Sequence, residues 1–303
     1  MPKRNDATDG MVVSLDMVRP YDFAVSLRSM RSFQPAQPEQ GNTLRLAARI
    51  DEIPVLIEVS QGPGIKNKLI ASSVQNVRAS HIRRIAEWVL FAELDLMPFY
   101  RLITKNPKLA AVTHPLYGLK PMRPISLFEM AVVAITEQQI SLAAAYGIRS
   151  RLIRRFGEPI NNEWVFPESY ALSKATLEEL RSCGLSRQKS QYIQELASKI
   201  TSGTLDLDVL KTMDDDKARE TIMGLRGFGR WSADYILVRG LARPDCVPID
   251  DLGVRSVIGE YMGNAERLSS LEVTRILEPF RPYRGILAFY LLAAHRLKLT
   301  PGR

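Results

Sequence analysis

The sequence is poor in the residues that hold metals. Its 303 residues include two cysteines, Cys183 and Cys246, and three histidines, His81, His114 and His295. Two cysteines cannot supply a four-thiolate iron–sulfur cluster or zinc cage. The histidines are scattered without ligand spacing, so no metal site is expected. So little cysteine also fits a reducing compartment. Long apolar runs are missing too: none approaches the ~18 residues of a membrane span, and the best stretch, WVLFAELDLMPFY at 88–100, is interrupted by Glu93, Asp95 and Pro98. The opening MPKRNDATDG lacks the apolar segment of a secretory signal. The expected location is cytoplasmic, with no membrane partner. There is no internal repeat and no low-complexity segment.

What is present is ordinary for a globular protein, with 46% hydrophobic and 24% charged residues, enough apolar material for a core without a staple. The charge is less ordinary. Lys and Arg number 41 against 33 Asp and Glu, a net of +8 that favours a polyanionic partner, nucleic acid first.

The chain changes character near residue 78. Before it, VVSLDMV at 12–18 reads as a strand and 22–31 as a short helix. Residues 34–43 read as a loop, 44–50 and 54–60 as a hairpin about Asp51-Glu52, and QGPG at 61–64 as a further turn. After it the pattern is helical. Residues 80–94 carry a helical apolar period, and 113–125, with three prolines, form a connection. Ser126 and Ser141 are expected to cap two helices, the second ending near Gly157. Ser173 is expected to cap a short helix ending at Gly184, Ser186 a helix over 187–202 and Asp214 one over 215–224. Helices over 231–242, 251–261, 270–278 and 284–297 complete a second half expected to be all-helical. The fold class is therefore mostly α, with a small N-terminal α+β unit carrying an antiparallel sheet.

The strongest local signal is LRGFGRWSAD at 225–234. Two glycines one residue apart, between a helix end and a helix start, let backbone amides approach an anion beside a helix N-terminus. Arg226, Gly227, Gly229 and Arg230 are the expected phosphate-binding set. No strand precedes the glycines, which argues against a dinucleotide fingerprint. Further on, Pro248 breaks the chain before Asp250 and Asp251, where an aspartate is by default a helix cap.

Taken together these segments resemble the helix-hairpin-helix, Gly-Pro-Asp-loop superfamily of DNA glycosylases. The resemblance runs over roughly 125–295, through AITEQQIS at 134–141, CGLSRQKSQYI at 183–193, GLRGFGRWSADYILVRGL at 224–241 and CVPIDDLGVR at 246–255, with a weaker FRPYRGILAFYLL at 280–292. The N-terminal sheet is similar to that of the AlkA-type 3-methyladenine branch. The resemblance implies an N-terminal unit over 1–78, a helical unit from 79–125 and 246–303, and a hairpin-bearing helical unit over 126–245.

It further implies that Asp250 is the catalytic carboxylate and Asp251 the start of the next helix. Gln139, with Gln138 beside it, is the wedge that fills the gap left by an extruded base, and Trp231 and Tyr235 line the base pocket. The family's later pocket aromatic falls on Leu292, with Phe289 and Tyr290 close by. Arg187 and Lys189 are further phosphate candidates. Arg255 could pair with Asp250 or with a nearby carboxylate, and Arg149, Arg151, Arg154 and Arg155 are read as a solvated helix face.

Bifunctional relatives carry a nucleophilic lysine where this chain has Trp231, so a monofunctional enzyme is implied, one that cuts an alkylated base from duplex DNA and leaves an abasic site. No cofactor is implied beyond a monovalent cation at the hairpin, and the expected state is a monomer. The competing readings are a glycosylase for deaminated or oxidised bases and a non-catalytic helix-hairpin-helix DNA-binding protein.

Overall fold

A computed structural model describes residues 11–34, 41–62, 68–263 and 268–299. The N-terminal residues 1–10, most of the loop at 34–43 and part of the QGPG turn lie outside the described residues.

The N-terminal unit is a four-stranded antiparallel sheet of β1 (Met11–Leu15), β2 (Leu44–Ile50), β3 (Ile53–Gln61) and β4 (Leu69–Ser73), in the order β1-β4-β3-β2. The β2–β3 hairpin turns through Asp51 (φ 48°) and Glu52 (φ 64°), the two positive φ values that a two-residue hairpin with right-twisted strands requires. One sheet face packs Val13, Val55, Ile57 and Ala71 against α1 (Phe23–Ser32) and α2 (Ala79–Val89). Thus α2, expected to open the helical half, buries Ile82, Ala86 and Val89 on the sheet.

The helical region continues with α3 (Met97–Ile103), α4 (Pro107–Thr113), α5 (Leu127–Glu137) and α6 (Leu142–Phe156). A short antiparallel ribbon of β5 (Glu158–Ile160) and β6 (Glu163–Val165) follows, so the second half is not all-helical as expected. Its Ile160 and Val165 cover Leu56, which points out of the far face of the sheet. Next come α7 (Ser169–Lys174), α8 (Leu177–Ser182), α9 (Arg187–Thr201), α10 (Asp215–Met223), α11 (Arg230–Arg239), α12 (Leu252–Met262), α13 (Ser270–Leu277) and α14 (Arg284–Arg296). Ser126, Ser141, Ser186 and Asp214 each accept a backbone N–H as N-caps. Ser173 does not: it lies inside α7, and Thr176 with Glu179 forms the capping box of α8.

The helices form two cores. One joins α5, α9, α10 and α11 through Ile135, Ile193, Ile222 and Leu237. The other joins α3, α4, α12 and α14 through Phe99, Leu109, Ile258 and Leu287. The loop from α11 to α12 runs between them and is fastened to the start of α14. Arg284 forks onto Asp245 with Nε–Oδ1 2.8 Å and Nη2–Oδ2 2.7 Å, and Gly285 donates its N–H to the Pro244 carbonyl at 2.8 Å. A Cβ on Gly285 would sit 2.2 Å from the Cys246 carbonyl oxygen, so only glycine lets α14 come this close. The segment carrying both aspartates is thus held from two sides. Among the described residues, no helix is long and apolar enough to cross a membrane.

Candidate active site

The hairpin between α10 and α11 is built on its first glycine. Gly227 has φ +92°, and a Cβ there would lie 2.4 Å from ring carbons of Tyr192. Phe228 is buried in the helical core and anchors the turn. Gly229, the N-cap of α11, is extended at φ −102°, and a Cβ there would meet nothing within 4 Å. The space outside the start of α11 is therefore open to a ligand, where orphan N–H groups and the positive end of the helix favour an anion. Arg226 and Arg230 are exposed on either side, engaged with Glu195 (3.2 Å) and with the buried Asp234 (3.2 Å) respectively. Within the turn the Gly227 carbonyl accepts from Gln138 and the Leu225 carbonyl from Phe228.

The loop joining α5 to α6 is tied to this hairpin. The Gln138 side-chain amide donates to the Gly227 carbonyl (2.8 Å) and to Ser232 Oγ (3.0 Å). Lys189, expected at a phosphate, instead donates to the Thr136 (3.0 Å) and Gln138 (2.7 Å) carbonyls that end α5. With Gln138 so occupied, the tip of the loop is Gln139, exposed and at φ 56°, followed by the exposed Ile140.

Below the hairpin opens a cleft of about 1750 Å³. Trp231 and Tyr235, four residues apart on α11 and so on one face, stack with ring centroids 5.1 Å apart and planes at 23°. Both rings are fixed through their polar ends. Tyr235 Oη donates to Glu137 at 2.8 Å, and Trp231 Nε1 donates to Asp251 Oδ2 at 2.9 Å. Burial, reinforced by the Glu137 charge, holds the Tyr235 phenol far above its usual range, which keeps it a donor. Glu137 is also paired with Arg149, whose side chain is 11% exposed and lies over the Tyr146 ring. Arg149 therefore belongs to the cleft wall and not to a solvated face. On that helix Arg151 donates to the Cys183 carbonyl (2.8 Å) and Arg155 pairs with Glu179 (3.0 Å).

The two aspartates differ in surroundings, and Asp251 stands at the start of the next helix as expected. Helix α12 begins at residue 252, so Asp251 is its N-cap. Its Oδ1 accepts from the Gly253 (2.8 Å) and Val254 (3.0 Å) amides, and its Oδ2 accepts from the indole N–H, leaving one Oδ2 lone pair beside the cleft it lines. Asp250 lines the same cleft but is exposed and accepts from Ser270 Oγ at 2.6 Å. The cap geometry sets the second carboxylate against Trp231 of α11 and the first on Ser270, so Asp251 is the carboxylate in contact with the aromatic pair. Arg255 pairs with neither; it donates to the Leu268 carbonyl at 2.5 Å.

The opposite wall combines Leu292 with Phe289, which stacks on Phe33 at 6.1 Å. Tyr290 is core: fully buried, it bonds to Tyr100 Oη (2.6 Å) and donates to the Leu119 carbonyl (2.8 Å). Phe33, just past α1, reaches the cleft from the N-terminal unit, and no sequence motif marked it.

Glu129 also lines this cleft, near the start of α5, where its Oε2 accepts from the Ile125 amide at 3.0 Å. Burial pushes its carboxyl up to about 7 from 4.5, against the lowering effects of that bond and of Arg149. The folded state therefore holds this proton more tightly than the unfolded chain does. The contribution is stabilising at low pH and is lost as pH rises from about 4.5 through about 7. Glu129→Gln is expected to remove that slope. Urea midpoints for both proteins between those pH values should diverge in favour of the variant as pH rises; parallel curves would contradict the burial of this carboxyl.

Fold and site together define a helix-hairpin-helix protein with a carboxylate at the head of the helix that follows the hairpin unit. The sequence signature described as HhH-GPD superfamily base excision DNA repair protein matches residues 132–282. A DNA-3-methyladenine glycosylase of Bacillus subtilis (strain 168) is 29% identical over 264 residues, covering 83% of this chain and 86% of that protein. The solved 3-methyladenine DNA-glycosylase from Archaeoglobus fulgidus superposes with a TM-score of 0.77 at 26% identity, covering 94% of this chain and 98% of that one. An 8-oxoguanine glycosylase/lyase of Clostridium acetobutylicum, solved with double-stranded DNA, shares the fold at 16% identity and a TM-score of 0.74, over 95% and 98% of the two chains. The chain belongs to the HhH-GPD superfamily of base excision DNA repair proteins.

Proposed function

We propose that this protein is a monofunctional DNA glycosylase that hydrolyses the bond between deoxyribose and an alkylated base in duplex DNA, leaving an abasic site. The observation that carries this reading is Asp251, clamped by two helix-start amides and the Trp231 indole, with a lone pair beside the aromatic cleft at the hairpin.

In this reading the Gly227–Gly229 turn and the start of α11 hold a phosphate of the damaged strand, with Arg226 and Arg230 adding charge. Gln139 enters the stack as the target nucleotide swings out, at a cost of a few kcal/mol that is smallest for a damaged base. The extruded base lies against Trp231 and Tyr235, whose ring faces attract the positive charge of an alkylated purine. As the C1′–N bond lengthens, its electron pair goes to the base and positive charge grows on the sugar. Asp251 stabilises that charge and takes a proton from the attacking water, so that a C1′–O bond replaces C1′–N. A cationic base leaves as a neutral molecule and needs no strong acid. The absence of lysine at position 231 supports the hydrolytic route. A single chain binding one duplex is sufficient for these steps.

The test is incubation with methylated duplex DNA followed by alkaline cleavage. The expected result is alkali-labile sites with no covalent enzyme–DNA adduct on borohydride treatment. No such sites would refute glycosylase action, and a trapped adduct would refute the monofunctional assignment.

A further inference from the structure

Helix α11 presents a third residue on the face that carries Trp231 and Tyr235. Arg239, four residues beyond Tyr235, lines the same cleft, half-buried, with its guanidinium carbon 5.5 Å from the centroid of Phe289. Of the other cations lining the cleft, Arg149 pairs with Glu137, Arg123 with Glu93 and Arg45 with Glu58, Lys189 donates to the carbonyls that end α5, and Arg296, over the Phe33 ring, is exposed where Arg239 is half-buried. Arg239 makes no hydrogen bond or ion pair among the described residues. The C-terminal end of α11 favours a cation there, but a dipole leaves the five N–H donors of a guanidinium unused. A half-buried fork of donors at the inner wall of an aromatic cleft is complementary to oxygen acceptors of a ligand.

Position along the helix selects the acceptor. Residues 231 and 239 are two turns apart, about 12 Å along the axis. The phosphate held at the start of α11 is therefore out of reach of Arg239, while a base whose sugar faces Asp251 points its far edge down the stripe toward it. On a purine that edge carries the substituent at C6. An oxygen there accepts from Arg239, whereas an amino group presents its own N–H groups to the guanidinium.

We propose that Arg239 is a specificity-determining residue that reads the far edge of the extruded base and favours an oxygen over an amino group at C6. This rests on the glycosylase reading and goes further by naming the residue that discriminates between bases.

The experiment compares wild type with Arg239→Met and Arg239→Lys on methylated duplex DNA, with released 7-methylguanine and 3-methyladenine resolved by chromatography, and on a duplex with a single hypoxanthine. Arg239→Met is expected to lower release of both 6-oxopurines by about tenfold to hundredfold, the effect of one charge-assisted hydrogen bond. Release of 3-methyladenine should change little. Arg239→Lys should fall between, since it keeps the charge and loses the fork. Affinity for a duplex with a stable abasic analogue should stay at the wild-type level. Equal losses for all three bases, no loss, or weakened binding to the abasic duplex would each overturn the proposal, the last by making Arg239 a backbone contact. Release of no base by wild type would instead overturn the glycosylase reading beneath it.

Discussion

Asp251→Asn is expected to lower base release by about a thousandfold, the scale of removing a preorganised charge from a transition state, while Asp250→Asn retains activity within a few-fold. The comparison is clean because asparagine ranks with aspartate as an N-cap. In Asp251→Asn the amide oxygen can still accept from Gly253 and Val254, so α12 keeps its start and the protein its fold. What disappears is the negative charge beside the sugar, together with the acceptor of the Trp231 indole. Asp250 accepts from Ser270, and its loss removes an exposed hydrogen bond. Both variants should stay folded, Asp251→Asn melting slightly lower for the lost indole bond, and single-turnover release from one methylated duplex distinguishes them. A large loss in Asp250→Asn with an active Asp251→Asn would reverse the assignment.

The second large effect lies at the hairpin. Gly227→Ala forces a side chain into positive φ and sets its Cβ 2.4 Å from the Tyr192 ring. Strain and overpacking together should destabilise the protein by about 3 kcal/mol. The displaced turn also breaks the Gln138 contact, so affinity for duplex DNA should fall and its dependence on salt should flatten as a phosphate contact is lost. Gly229→Ala provides the contrast. Its backbone is extended and its Cβ meets no protein atom, so stability should stay at the wild-type level. The added methyl projects into the space assigned to the phosphate, so DNA binding should still weaken. Chemical denaturation paired with binding at several salt concentrations separates these outcomes. A Gly227→Ala protein as stable as wild type would contradict the packing of the turn on Tyr192.

Local signals were the legible ones. The caps at Ser126, Ser141, Ser186 and Asp214, the Asp51-Glu52 hairpin and the glycine turn depend on a few neighbouring residues, and each forms as its sequence indicates. Helices α3 and α4 were not anticipated; each carries a proline, Pro98 and Pro107, in its first turn, where proline loses no hydrogen bond. The β5–β6 ribbon is too short to show a period. Its mark is Asn161-Asn162, with Asn161 at φ 51°. Which aspartate caps α12 and meets Trp231 depends on the first residue of that helix, and a helix boundary is least certain from sequence. Phe33 and Arg149 reach the cleft through packing between distant segments, which no motif or period in the sequence reports, whereas Arg239 continues the four-residue stripe of Trp231 and Tyr235.

The central claim is that the Asp251 carboxylate faces the deoxyribose while the hairpin grips the strand. It is tested most directly by a crystal structure with duplex DNA carrying a cationic azasugar in place of the target nucleotide. The account predicts Asp251 within hydrogen-bond reach, about 3 Å, of the cationic ring atom, with a phosphate on the Gly229 side of the turn and Asp250 still on Ser270. A complex with Asp250 at the sugar, or with the sugar ring remote from α12, would contradict it.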